Sequence, residues 1–173
     1  AEQELTNLLV RLSRTNNKPI MYLDGHGEKN LLGLKNHDLG AFGEQLEKKG
    51  FKFSNPDLTA LKEVPKEGAM LVIASPQVPV TKPEAQKIFK YVENGGNILW
   101  LLDENNYQGL DDLANYLGLQ ISDGKVVDVS SRNFGSSEDT SYALVYGDHP
   151  ITRNFMLRTQ YSDAYNISAR GSY

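Results

Sequence analysis

The chain has 173 residues, of which 39% are hydrophobic and 23% charged, a composition typical of a folded domain rather than a disordered segment. The formal net charge is −4 and the lysines and arginines are scattered, which argues against nucleic acid as the main partner, because neutralising phosphates needs a concentrated basic face. The sequence contains no cysteine, which excludes disulfides, thiolate metal sites and a cysteine nucleophile. We interpret residues 1–173 as one domain, a soluble fragment of a longer protein.

Helices and strands are predicted in alternation along the first part of the chain. Leucines recur at helical spacing over residues 2–14 and predict an amphipathic helix. A short strand is predicted over residues 20–23. A second helix is predicted from Asp38, a good N-cap residue, to Gly50, which is typical of a helix end, and a strand follows over residues 51–53.

The middle of the chain carries the clearest strand pattern. Residues 70–74 form an unbroken apolar run, which is typical of a strand covered on both faces in a parallel sheet. Thr81 and Glu84 have the spacing of a capping box and predict the start of a helix that ends at Gly95. Residues 98–102 predict a second buried strand.

The last third of the chain has weaker patterns. A short helix is predicted over residues 109–117 and a strand over 125–128, followed by a mobile serine-rich loop over 130–141. Two β segments are predicted over 143–146 and 164–167. The alternation of strands and helices predicts an α/β fold with three layers, a mainly parallel sheet with helices on both faces.

Three polar segments, residues 24–28, 75–77 and 103–105, directly follow predicted strands. In open parallel sheets, ligands bind outside the carboxyl ends of the strands, so these loops are the candidate binding edge. The candidate ligand-binding residues are Gly25, His26, Gly27, Glu28, Ser75, Pro76, Gln77 and Asp103.

The glycine-rich segment 24–28 allows two interpretations. If it were extended, Asp24, His26 and Glu28 would share one face and could bind zinc. Alternatively, the glycines permit a tight turn, His26 bonds to the backbone and Glu28 caps a later helix. A phosphate loop is disfavoured, because neither glycine fingerprint of nucleotide-binding loops is present. The turn is the favoured interpretation, and neither a metal nor a cofactor is expected.

Nucleophilic catalysis is also disfavoured. Ser75 follows a buried strand, where a nucleophile elbow would lie, but its neighbours are Ala74 and Pro76 rather than glycines. Proline also removes a backbone N–H that an oxyanion hole commonly uses. Asp103 could be a general base or a loop anchor, and the anchor is favoured because no partner for it is identifiable. No catalytic residue is assigned.

Short motifs follow one another in a fixed order over nearly the whole chain, from about residue 2 to residue 168. They are Gly25-His26-Gly27-Glu28, residues 71–77, Pro83-Glu84, residues 91–103, residues 110–119, Val127-Asp128 and His149-Pro150-Ile151-Thr152. This order resembles that of the gliding-motility (GldG-like) ABC-transporter auxiliary domain family.

The resemblance implies a fold similar to flavodoxin-like and class I glutamine amidotransferase-like domains, to ThuA-like domains and to an intraflagellar-transport subunit. It implies a non-catalytic, ligand- or partner-binding domain that is extracytoplasmic (periplasmic), anchored to the inner membrane through segments absent from this chain. The expected partners are an ABC permease and an ATPase. The alternatives are a ThuA-like or hydrolase-like enzyme acting on a sugar or amide, and a structural scaffold.

Overall fold

The computed structural model describes residues 18–103 and 106–170, and a four-stranded parallel sheet lies at its centre. The strands are β1 (Ile20–Tyr22), β2 (Phe53–Ser54), β3 (Met70–Ala74) and β4 (Ile98–Leu101), in the order β2-β1-β3-β4. All five residues of β3 are buried, as the unbroken apolar run predicts. The predicted helix over residues 2–14 lies outside the described residues.

Among the described residues, three α-helices accompany the sheet: α1 (Gly40–Lys48), α2 (Lys82–Glu93) and α3 (Asp111–Tyr116). Val72 of β3 belongs to a hydrophobic cluster with Leu46 of α1. The next residue of the strand, Ile73, belongs to another cluster with Ile88 of α2 and Leu113 of α3. The alternation follows from the strand geometry, in which successive side chains point to opposite faces. The α/β class with a parallel sheet is confirmed, and the three-layer order stays a prediction.

The start of α1 differs from the prediction. The helix begins after Leu39, and the side chain of Asp38 does not cap it. The Asp38 carboxylate instead accepts hydrogen bonds from the backbone N–H groups of Asn30 at 3.1 Å and Lys35 at 3.0 Å. These bonds hold the loop before the helix closed and lower the pKa of Asp38, the bond from Asn30 having the largest effect.

Two antiparallel strand pairs make up the last part of the described chain. β5 (Leu119–Lys125) pairs with β8 (Tyr165–Ala169), and β6 (Thr140–Ala143) pairs with β7 (Thr159–Ser162). The prediction over residues 164–167 overlaps β8. The strands predicted over residues 125–128 and 143–146 each overlap an observed strand by one residue only, because β5 ends at Lys125 and β6 ends at Ala143.

The predicted mobile loop over residues 130–141 was wrong. A 3₁₀-helix, Val129–Phe134, occupies its first part, and β6 begins at its end. Short polar side chains stabilise this segment: the Asp128 carboxylate accepts from the Ser130 N–H at 2.9 Å, and the Ser131 hydroxyl donates to the Ser137 carbonyl at 2.7 Å. Serine hydroxyls and aspartate carboxylates readily form such local hydrogen bonds, so a serine-rich segment can have a fixed conformation.

Within the described residues, none of the helices has the length and apolar character needed to cross a bilayer.

Candidate functional site

The loop after β1 and the loop after β3 interlock at the carboxyl edge of the sheet. The carbonyl oxygen of His26 accepts hydrogen bonds from the backbone N–H groups of Gln77, at 2.7 Å, and Val78, at 3.1 Å. Residues 24–28 and 75–77 are therefore in direct contact, as expected for loops that leave neighbouring parallel strands.

His26 lies between two buried carboxylates. Its side-chain Nδ1 is 3.1 Å from Oε1 of Glu28, and its Nε2 is 3.2 Å from Oε2 of Glu84. The backbone N–H of His26 also donates to Oε2 of Glu28 at 2.7 Å. The three residues are only 4–7% exposed, so these interactions are shielded from water.

The Thr81 hydroxyl and His26 determine the ionisation state of Glu84. Burial by itself raises the pKa of Glu84, but the Thr81 hydroxyl and the charge of His26 outweigh burial and hold that pKa below its ordinary value. Glu84 is therefore a carboxylate at neutral pH.

The capping box predicted at the start of α2 was only partly right. Thr81 occupies the N-cap position with an extended backbone, but its side chain makes no capping bond to the helix. Its hydroxyl donates instead to Oε2 of Glu84, the oxygen that also faces His26. Thr81 and Glu84 were missed as site residues. The available signal was topological, since a helix that follows β3 also begins at the carboxyl edge of the sheet.

The glycines turn the segment 24–28 rather than extending it. Gly25 and Gly27 have φ values of +116° and +77°, in the region that favours glycine. Asp24 is consequently exposed, with its carboxylate accepting from the Gly25 N–H at 2.9 Å, while His26 is buried. The extended geometry required by the zinc interpretation is therefore wrong. No group of three or more acidic or histidine side chains within the described chain is placed to hold a metal ion.

The turn interpretation of the same segment needs one correction. Glu28 does not cap a later helix, because both of its carboxylate oxygens bond to His26. Gly27 is required where the two loops touch: a Cβ at this position would lie 3.0 Å from Cβ of Gln77, in addition to the backbone strain.

Ser75 has an unusual backbone at the end of β3. Its φ is +54°, which is costly for a non-glycine residue, and it is 3% exposed. The Ser75 N–H donates to the Leu101 carbonyl at 2.9 Å, and Gln77 Nε2 donates to the Ser75 carbonyl at 2.8 Å. Within residues 18–103 and 106–170, no histidine or carboxylate bonds to its hydroxyl, whose one acceptor is the Leu101 carbonyl at 3.5 Å. Pro76 is buried beside it.

Asp103 follows β4 and forms an ion pair with the ammonium group of Lys29. Both side chains are partly exposed, at 44% and 30%. Since Lys29 directly follows the segment 24–28, this pair ties the end of β4 to the first loop. The contact agrees with the interpretation of Asp103 as a loop anchor, and it does not bring Asp103 to His26.

Comparison with known proteins adds a family and a fold. The profile of the family described as "ABC-type uncharacterized transport system" matches residues 17–159. No curated protein sequence gives a significant match. Among solved structures, the mmIFT52 N-terminal domain is similar, with a TM-score of 0.60 and 17% identity, over 87% of this chain and 68% of that chain. At this identity the likeness concerns the fold alone.

Proposed function

We propose that this chain, which belongs to the family of ABC-type uncharacterized transport systems, is an extracytoplasmic accessory domain of an ABC transporter of the gliding-motility type. Membership of the family gives an accessory role in a membrane-associated transport system. The match over residues 17–159 is the observation that carries the proposal, because it spans the sheet and the loops of the carboxyl edge. The proposed partners are the permease and ATPase subunits of the transporter.

The surface proposed to contact these partners is the exposed part of the two interlocked loops, which we call the loop edge. It comprises Asp24, Gly25, Gly27, Gln77 and Val78, all of them exposed. The side chain of Val78 is 53% exposed although it is apolar, which suits a position that a partner covers. The proposed binding role of this surface includes either a transporter subunit or a small ligand as its occupant.

His26, Glu28 and Glu84, which we call the buried ion network, lie beneath the loop edge and support a role in shaping this surface. A buried charged group adds little net stability, but it fixes geometry when all its hydrogen bonds are made. His26 uses both ring nitrogens and both backbone groups to hold neighbouring elements together. A histidine engaged in this way is poorly placed to exchange protons with a substrate, which supports binding over catalysis.

One observation favours the alternative of a hydrolase-like enzyme: Ser75 has a φ of +54° at the end of a buried strand, as a nucleophile at a strained turn would. A fluorophosphonate probe that labels activated serines distinguishes the two proposals. We expect no labelling of the wild-type protein. Labelling that disappears in Ser75→Ala would favour the enzyme.

The accessory role is tested by purification from native membranes. The full-length protein, tagged at its own locus, is extracted in mild detergent and the co-purifying proteins are identified by mass spectrometry. We expect a permease and an ATPase of the ABC type in a constant ratio to the tagged protein. Recovery of the protein without either subunit, under conditions that keep a known transporter of the same membrane intact, contradicts the proposal.

The extracytoplasmic location is tested separately, in intact cells whose outer layers have been removed. A protease added outside should digest this domain while leaving a cytoplasmic marker whole. In inside-out membrane vesicles the domain should be protected. The reverse pattern would place the domain in the cytoplasm and overturn this part of the proposal.

A further inference from the structure

A second concave site lies at the opposite edge of the parallel sheet from the loop edge. It is a cavity of about 400 Å³. Among its lining residues, Lys18, Ala69 and Asn97 lie just before β1, β3 and β4, whereas the loop edge follows the strands. Because the strands are parallel, these positions are at the amino edge. Neither the candidate binding residues nor the buried ion network belongs to this cavity.

The charged residues that line the cavity are mostly positive. Its charged lining residues are Lys18, Lys62, Lys66, Lys87, Lys90 and Glu63. Five lysines against one glutamate is a strong local excess in a chain whose net charge is −4. Walls that carry one sign of charge focus the electric field in a cleft and concentrate ions of the opposite sign there.

Within residues 18–103 and 106–170, most of these ammonium groups have no acidic partner. Glu63 is 3.9 Å from Nζ of Lys66, a loose pair between exposed side chains, and Lys87 donates to the Leu58 carbonyl at 2.5 Å. In the part of the chain that the structure describes, Lys62 and Lys90 form neither a salt bridge nor a side-chain hydrogen bond. Their donors are free for an anion.

The remaining walls restrict what the cavity can bind. The backbone N–H groups of Gly95 and Gly96 already donate to the carbonyls of Val92 and Tyr91, at 2.9 and 2.8 Å. A Cβ on Gly96 would lie 2.5 Å from the Tyr91 ring, so the aromatic ring fills the space beside this glycine. The ligand therefore meets lysine ammonium groups as its main hydrogen-bond donors.

We propose that this cavity, the lysine pocket, binds a phosphate-bearing ligand. Lysine is a compact point charge that suits phosphate oxygens, and charge-assisted hydrogen bonds of this kind are stronger than neutral ones. The volume lies within the range of small-molecule sites, which is about 300–1,000 Å³. The phosphate could belong to a soluble compound or to the headgroup of an anionic phospholipid, and the lysine pocket recognises the chemistry that both share.

The first arm of the test measures binding of inorganic pyrophosphate by titration calorimetry at low salt, on the order of 50 mM. Lys62→Gln combined with Lys90→Gln removes from the pocket two ammonium groups that have no partner within the described residues. We expect saturable binding by the wild type and a dissociation constant raised about tenfold or more in the double variant, because two charge-assisted contacts are lost.

The second arm measures co-sedimentation of the same proteins with phosphatidylglycerol vesicles and, separately, with phosphatidylcholine vesicles. Binding to the anionic vesicles alone, without pyrophosphate binding, identifies a lipid headgroup as the source of the phosphate. Pyrophosphate binding without binding to either kind of vesicle identifies a soluble compound. In either case the double variant must lose the binding for the proposal to stand.

A matched control carries the same change in net charge elsewhere. Lys35→Gln combined with Lys82→Gln removes two exposed lysines outside the pocket, one of them at the opposite end of α2 from Lys90. We expect the control to bind within about twofold of the wild type. Equal weakening in both double variants, or no saturable binding in either arm, overturns the proposal. All four side chains are exposed, so unchanged thermal unfolding is expected throughout.

Discussion

At the residue scale, the chemistry of the carboxyl edge centres on His26. Its ring bridges Glu28, two positions along the chain, and Glu84, which is 58 positions away. The first contact fixes the shape of one loop, and the second ties that loop to the start of α2. One side chain therefore couples a local turn to the packing of a helix against the sheet.

Removing this side chain should destabilise the protein strongly. In His26→Ala, the buried side chains of Glu28 and Glu84 lose the ring to which both of them bond, which is expected to cost about 3 kcal/mol or more of unfolding free energy. Urea denaturation of both proteins measures the difference. His37→Ala is the matched control, because the His37 side chain is 65% exposed, and its cost should stay below about 0.5 kcal/mol. Equal costs for the two variants would mean that the His26 bridge is not formed.

The lowered pKa of Glu84 leads to a second prediction, which concerns the pH dependence of the folding stability. Burial raises this pKa, but the Thr81 hydroxyl and His26 together lower it below the ordinary value of 4.5. A carboxyl group with a lowered pKa in the folded state stabilises the fold above its unfolded value, and that contribution is lost as the pH falls through the folded value. Wild type should therefore lose stability below about pH 4.5 more steeply than Glu84→Gln.

The comparison is made by urea denaturation at several pH values between neutrality and acid. Glu47→Gln, which changes an exposed glutamate, serves as control and should follow the wild-type curve. If the wild type and Glu84→Gln lose stability in parallel over this range, the contacts of Glu84 do not lower its pKa in the folded protein.

The sequence predicted part of this site. It placed Gly25, His26, Gly27 and Glu28 in a loop at the carboxyl edge, because the strand pattern before them is clear. It did not predict the Glu84 contact, because a Thr-to-Glu spacing of three also satisfies a local capping box, and a local explanation left no need for a distant partner. Residues 26 and 84 are far apart in the chain, and no pattern in a single sequence indicates that they are in contact.

At the scale of elements, α2 connects the two edges of the sheet. Its first turn carries Glu84 at the carboxyl edge, and its last turns carry Lys87 and Lys90 at the lysine pocket. Between them, Ile88 is fully buried against the hydrophobic cluster that contains Leu71 and Ile73. Packing at Ile88 thus sets the position of both sites.

Truncating the Ile88 side chain tests how α2 is anchored to the sheet. Ile88→Ala removes a fully buried side chain and should cost about 2–5 kcal/mol of unfolding free energy, because it loses burial and leaves a cavity. Ile167→Ala makes the same change on β8, where the side chain is 48% exposed, and should cost less than about 1 kcal/mol. Thermal and urea unfolding compare the two. Similar costs would show that α2 is not anchored through Ile88.

Buried strands were predicted from the sequence better than exposed strands. β3 was predicted residue for residue, because a strand covered on both faces has a continuous apolar run. β7 was missed, since Thr159–Ser162 has only one buried residue and its Tyr161 is 49% exposed. Short, half-exposed antiparallel strands take their stability from cross-strand pairing, and a single sequence does not display that pairing.

At the scale of the whole molecule, the parallel sheet separates two surfaces of different character. The carboxyl edge is shaped by a buried ion network and exposes small, polar and apolar residues of the loop edge. The amino edge holds the lysine pocket. In a membrane-associated transport system, this arrangement would let one edge contact protein subunits while the other binds phosphate, since the two sites share no residue.

Photo-crosslinking in native membranes tests whether the loop edge contacts the transporter subunits. A photoreactive amino acid replaces Val78 at the loop edge in one strain and Glu47, near the end of α1, in another; both positions are exposed. We expect a crosslink from position 78 to the permease or the ATPase, with none from position 47. No crosslink from position 78 to either subunit, or equal crosslinking from both positions, would contradict it.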